Sequence, residues 1–221
     1  LNDIFSSAKS FPIWNDGESY VMSITAEAQT MFANQNMLDA VGAGIPTTFD
    51  ELLSTGKKLK SGDVAGVAMR SKADGSAGTW PCGGFVFSNG GVVIQDGKCM
   101  LDSPEAIEAV QYYGSILNEA GPLGVGNYHW YECLNDYMQE AVAIGLDSSN
   151  FATDIENPEK SNAAGHTTYG AMVSGPGKQA KPNMWHWMAG INSKSQQKAA
   201  AFLFLTWANS KPTCLMSSAL G

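Results

Sequence analysis

A six-residue apolar run, Ala141-Val142-Ala143-Ile144-Gly145-Leu146, empties abruptly into Asp147-Ser148-Ser149-Asn150-Phe151. Read as a buried strand, this stretch delivers four hydrogen-bonding side chains to one place at its carboxyl end. In open α/β sheets that edge is where ligands bind. The remaining segments are therefore expected to flank and cover this strand and to wall its polar end with aromatic residues.

The flanking segments alternate between strand and helix signals. Tyr20-Val21-Met22-Ser23-Ile24 alternates like a short strand, and Glu27-Ala28-Gln29-Thr30-Met31-Phe32 continues as extended chain. A carboxylate between two extended pieces is unusual; Glu27 is either a site group or a solvated loop acid. Thr48 with Glu51 three residues on makes a capping box, predicting a helix to about Lys60 with Phe49, Leu52, Leu53 and Leu59 on one face. Residues 64–69 read as a strand. Pro81 sits in the first turn of a helix that starts near Thr79, and Asp96-Gly97 is the turn of a hairpin over 92–99. Ser103-Pro104-Glu105 opens another helix, with Ile107, Val110, Tyr113 or Gly114, and Leu117 as its expected buried stripe. A short helix through Met138, strands over 167–173 and 184–191, and a last helix complete the pattern. Trp185 and Trp187 share one face of the 184–191 strand. In the last helix Ala199, Phe202, Leu203 and Trp207 are expected to face inward, with Pro212 past its end. Alternation of this kind argues for an α/β architecture.

Composition narrows the function classes. No apolar run approaches the roughly 20 residues that cross a bilayer. Thirteen Lys+Arg against 21 Asp+Glu give a net charge of −8, with the basic residues scattered, so nucleic acid is not an expected partner. Charged residues make up 15%, against roughly 25% in average soluble domains, which leans toward a secreted protein. Cys82, Cys99, Cys133 and Cys214 form no zinc or redox motif; up to two disulfides, or four small buried thiols, are both open. The chain begins Leu1-Asn2-Asp3-Ile4, without a signal-type apolar core.

Catalytic chemistry is hard to assemble. His129, His166 and His186 lie apart, in no metal-ligand spacing and beside no nucleophile elbow. The glycine-rich 121–126 stretch lacks a phosphate-binding lysine. Only Glu27, Glu132 and Asp147 tempt as paired acids for glycoside hydrolysis. No cofactor or metal is expected. What stands out is a set of tryptophans beside polar, loop-bordering positions: Trp80, Trp130, Trp185 and Trp187. Sugars present an apolar C–H face and a fringe of hydroxyls, and a site for them pairs flat aromatics with carboxylates and amides. Core packing is the competing role for each tryptophan. Arg70 is the single arginine, which argues against a clamped anion.

The capped helix TTFDEL with KKLK after it, DSPEAIEAVQYYGSIL with GPLG, YMQEAVAIGLDSS, and INSKSQQKAAAFLFLTWANSK together resemble the extracellular solute-binding proteins of ATP-binding-cassette importers, the carbohydrate-binding family that includes maltose-type receptors. WYEC, NPEKSNAAGHTTYGAMVSGPG and the Trp-x-Trp strand are most similar to sorbitol- and mannitol-type receptors within it. The resemblance implies a two-lobed type II periplasmic-binding-protein fold with a hinge of crossing strands. Residues 1–25 would hold part of the amino-terminal lobe and a hinge strand, 26–165 the carboxyl-terminal lobe, and 166–221 the return crossing, more of the amino-terminal lobe and the last helix. It further implies a fragment truncated at both ends, from a periplasmic or extracellular protein whose precursor can carry a lipid anchor. The implied function is capture of a sugar or sugar alcohol in the interlobe cleft, by a non-enzymatic monomer, for delivery to permease subunits. Glu27 and Asp147 match cleft positions, and Glu132, Trp80, Trp130, Trp185 and Trp187 complete the ligand-contact set. Where maltose-type receptors have a stacking tryptophan after the central strand, Asn150-Phe151 stands here, which speaks against a maltodextrin and is compatible with a smaller sugar or polyol. A glycoside hydrolase and a receptor for a non-sugar solute are the alternatives.

Overall fold

The run at 142–148 is strand β5, and all seven of its residues are buried. It belongs to a computed structural model that describes residues 6–75 and 78–220. The opening residues Leu1 to Ile4, and Ser76 and Ala77 of the polar loop after the second strand, lie outside the described residues. In chain order the elements are α1 (Ser6–Ser10), β1 (Val21–Asn34), α2 (Gln35–Ala40), α3 (Phe49–Leu59), β2 (Ala65–Ala68), α4 (Thr79–Ser88), β3 (Ile94–Gln95), β4 (Lys98–Cys99), α5 (Pro104–Ala120), α6 (Trp130–Met138), β5 (Val142–Ser148), α7 (Ala152–Ile155), β6 (Thr167–Gly170), β7 (Met184–Gly190), α8 (Lys198–Ala208) and α9 (Lys211–Leu220). The two extended pieces expected around Glu27 are one continuous strand, β1.

The chain divides into two compact units, residues 28–183 and residues 1–27 with 184–221. In the larger unit the strand order is β2-β5-β1-β6. β2 runs parallel to β5, whereas β1 is antiparallel to both β5 and β6. Side-chain alternation sends Met31, Ala33, Val67 and Met69 into a core with Phe49, Leu52, Phe85, Ile116 and Leu117, on the face covered by α3, α4 and α5. Phe32 points the other way, to Leu134, Tyr137 and Ile155 of α6 and α7. Burial of each of the larger side chains, such as Met31 and Phe32, is worth about 1.5–3 kcal/mol, so the layering itself fixes the register of β1.

Local chemistry sets the helix starts. Thr48 accepts from the Glu51 amide at 3.2 Å while the Glu51 carboxylate reaches back to the Thr48 amide at 3.3 Å, the reciprocal cap anticipated for α3. Ser103 caps α5 ahead of Pro104. Asp96 and Gly97, with φ of 51° and 73°, make the left-handed pair that a two-residue hairpin turn requires.

Three expectations need correction. The buried stripe of α5 is Ala106, Ala109, Tyr113, Ile116, Leu117 and Ala120. Ile107 and Val110 are exposed instead, because α5 packs against both α3 and α4, where small alanines permit close approach. On α8, Phe202, Leu203 and Trp207 are exposed, since no described element covers that face. Pro212 does lie past the end of α8, but α8 is not the last helix: Pro212 sits in the first turn of a further one, α9, where its missing N–H costs nothing.

In the smaller unit β7 pairs with β1. His186 is buried there, with its Nδ1 3.0 Å from Ser23 Oγ and its ring stacked on Phe11, while Trp185 and Trp187 on the opposite face are exposed. All four cysteines are free thiols; Cys133 is buried and Cys99 and Cys214 are exposed. Among the described residues no helix is long and apolar enough to cross a membrane.

Candidate functional site

Because β2 and β5 are parallel, their carboxyl ends share one sheet edge, and two charged residues meet there. Arg70, two residues beyond β2, places Nε 2.8 Å from Asp147 Oδ2 and Nη2 2.5 Å from Oδ1. Asp147 Oδ1 also accepts the Ser148 amide at 2.7 Å. The Asp147 side chain is 1% exposed and that of Arg70 15%, so the carboxylate lies beneath and the guanidinium above it reaches solvent. A buried carboxylate is tolerated here because a planar fork and a backbone N–H answer it together.

Trp80, in the first turn of α4, lies under the same guanidinium, with its ring centroid 5.0 Å from Arg70 Cζ. Its carbonyl accepts from the Asn183 side chain, and its buried Nε1 has no acceptor among the described residues. Tyr113, from α5, donates its hydroxyl to the Arg70 carbonyl, and burial pushes that hydroxyl's pKa well above its ordinary value, so it stays protonated. On the neighbouring strand Gln29 is buried and gives Nε2 to the Pro81 carbonyl at 3.1 Å. Cys133, behind this edge, is likewise pushed up, mainly by burial and next by the Asp147 charge, which makes it an inert thiol.

The amino terminus of α6 forms the adjoining wall. The Ser71 and Lys72 amides donate to the Tyr128 carbonyl, tying this helix start to the strand end that carries Arg70. His129 is the N-cap; Glu132 accepts its amide at 2.8 Å. The Glu132 carboxylate is thus part of the cap. Trp130 and Tyr131 stand out from this turn, half exposed, with ring centroids 5.4 Å apart, and Trp130 lies 6.0 Å from Phe151. The polar strand end is followed by phenylalanine, but α6 brings a tryptophan beside it.

In the smaller unit Glu27 accepts a hydrogen bond from Trp187 Nε1, and Trp185 lies 6.0 Å from Trp187 with the rings at 68°. The proposed contacts therefore fall into two groups: Arg70-bound Asp147 with Trp80, Trp130 and Glu132, and, separately, Glu27 with Trp185 and Trp187. Among the described residues no cluster of His, Cys, Asp and Glu could hold a metal ion.

The profile of the family described as bacterial extracellular solute-binding protein matches residues 2–213. The chain belongs to that family. This solute-binding protein is 26% identical over 111 residues to the erythritol/L-threitol-binding protein of Mycolicibacterium smegmatis, covering 50% of the chain and 23% of the relative. It is 24% identical over 197 residues to a probable ABC transporter-binding protein of Deinococcus radiodurans, covering 83% and 46%. A solute-binding protein of Agrobacterium vitis with bound D-mannitol superposes with a TM-score of 0.83 at 21% identity, over 93% of this chain and 51% of that one. A maltose-bound protein of T. maritima reaches 0.87 at 20% identity, over 96% and 56%. The α/β fold is thus that of type II periplasmic binding proteins, and the chain spans about half the length of these relatives, or less.

Arg70 is the residue that the sequence undervalues. As the single arginine it speaks only against an anion clamp, and its pairing with Asp147, 77 positions away, has no spacing signature. The available signal is its place just after a strand that is parallel to the one ending in Asp147.

Proposed function

We propose that this chain is part of a periplasmic or extracellular receptor that captures a sugar or sugar alcohol for the membrane subunits of an ATP-binding-cassette importer. The observation that carries the reading is the edge where a solvent-reaching guanidinium over Trp80 adjoins the half-exposed Trp130 and Tyr131. Aromatic faces serve the C–H surfaces of such a solute and fixed donors serve its hydroxyls. Relatives named for erythritol and L-threitol, or solved with D-mannitol, support an open-chain polyol. Glu27, hydrogen-bonded to Trp187, offers a carboxylate beside an aromatic in its own unit and is proposed as a second ligand contact. We read the protein as a binder that performs no reaction: Glu132 is engaged in a helix cap and Asp147 in an ion pair, neither poised as an acid or base.

A ligand that binds the folded chain alone raises its stability, by about 2.7 kcal/mol at a hundredfold excess over Kd. Titration calorimetry and thermal melting with D-mannitol, ribitol, erythritol and maltose test the proposal. Saturable heat and a raised Tm with at least one of them are expected, with no product formed from a chromogenic glycoside. No response to any of the four overturns the reading.

A further inference from the structure

We infer that Arg70 is the hydroxyl-reading group of this edge, and that Asp147, as its positioning residue, cancels its charge and so tunes the site to uncharged polyols against the corresponding sugar acids. The inference rests on the polyol-receptor reading above and adds to it the charge class of the solute.

Asp147 is fully buried, and among its contacts Oδ2 accepts from Arg70 Nε while Oδ1 accepts from Arg70 Nη2 and the Ser148 amide. With 1% of its side chain exposed, it acts on a solute through the guanidinium that it holds. A guanidinium has five N–H donors. Two of them, on Nε and Nη2, go to Asp147. The three on the opposite side meet no acceptor among the described residues, while the side chain keeps 15% of its surface in contact with solvent. Trp80 beneath the plane and Asp147 along one edge leave the guanidinium little freedom, so these donors are held in fixed directions. Donors fixed in advance bind without the cost of ordering a flexible side chain.

Charge then decides what they accept. The pair Arg70–Asp147 is formally neutral, and its carboxylate cannot move out of the way. A hydroxyl oxygen gives up only modest hydration to accept from Arg70. A carboxylate gives up far more, and the positive charge that would compensate it is already answered by Asp147. An arginine without a buried counter-ion would have the opposite preference, since carboxylate and guanidinium match as a bidentate pair.

The experiment compares D-mannitol with D-mannonate and ribitol with D-ribonate, each pair sharing a carbon chain but differing by oxidation of one terminal hydroxymethyl group. Calorimetry on the unaltered chain should give about tenfold or greater preference for the polyol, the size of one charge-assisted hydrogen bond. Asp147→Asn keeps the shape and removes the counter-charge; it should weaken polyol binding and shift the polyol-to-acid ratio toward the acid by about tenfold or more. Arg70→Met combined with Asp147→Asn removes both charges, and melting reports whether it is folded. This double variant carries the test if the single one does not fold, and it should lose the polyol while gaining nothing for the acid. Equal affinity of the unaltered chain for polyol and acid, an unchanged ratio in Asp147→Asn, or undiminished polyol affinity in the folded double variant overturns the inference. No binding of either class by the unaltered chain instead defeats the receptor reading on which it stands.

Discussion

At Gly145, in the middle of β5, the Phe32 ring of β1 lies directly across the ladder. A methyl group there would overlap that ring, which is itself buried and held edge-on by Tyr137 at 4.7 Å. Gly145→Ala should therefore destabilise the fold by about 1–3 kcal/mol, as other overpacked cores do, and urea unfolding would read this as a lower midpoint with an unchanged slope. The glycine inside the apolar run is legible in the sequence, but its opposing ring is not, because cross-strand partners 113 positions apart leave no local mark. Asp147 has the same character. Its position at the end of a buried strand can be read directly. That it faces an arginine beneath the surface depends on β2 lying beside β5, which only the assembled sheet fixes.

Elements whose determinants lie within a few residues are those that the sequence reveals best. The α3 cap is one. Hydrogen bonds from the Thr47 amide and hydroxyl, and then the Thr48 amide, hold the Glu51 carboxyl below its ordinary pKa of 4.5. A depressed folded pKa means that the contribution is present above the unfolded value and is lost as pH falls through the folded one. The difference in melting temperature between the unaltered chain and Glu51→Gln should therefore be full at pH 7 and shrink below about pH 4.5, whereas Thr48→Ala should cost about 1 kcal/mol. A pH-independent difference for Glu51→Gln would refute the assignment. The start of α5 and the Asp96-Gly97 turn are local in the same sense. Which face of α5 is buried is not, since Ile107 and Val110 fit a helical stripe as well as Ala106 and Ala109 do. The choice falls to the small residues because α3 and α4 come close. The aromatic face of α8 suits burial by composition alone, and nothing within it says whether a covering surface is present.

At the scale of the molecule, the three buried apolar clusters found among the described residues all lie between residues 31 and 173, inside the larger unit. In the smaller unit Phe202, Leu203, Phe204 and Trp207 are each more than half exposed. Local opening free energy follows buried apolar contact. Native-state hydrogen exchange should accordingly find the slowest amides in β2, β5 and the second half of β1, with α8 and α9 exchanging far faster; equal protection in α8 and β5 would contradict this. The division itself is only partly legible. Residues 166–183 stay with the larger unit because β6 pairs with β1 and Ser88 Oγ takes the Lys181 amide at 2.8 Å, contacts that no composition change announces. One consequence of β1 is mechanical. Its fourteen residues pass from Glu27 in one unit to Ala28 in the other without a glycine or proline. Each of them moves freely only within the broad extended basin. No position along it has the wide torsional range of glycine or the fixed φ of proline, so the strand resembles an unnotched beam, with no weak point built into its sequence.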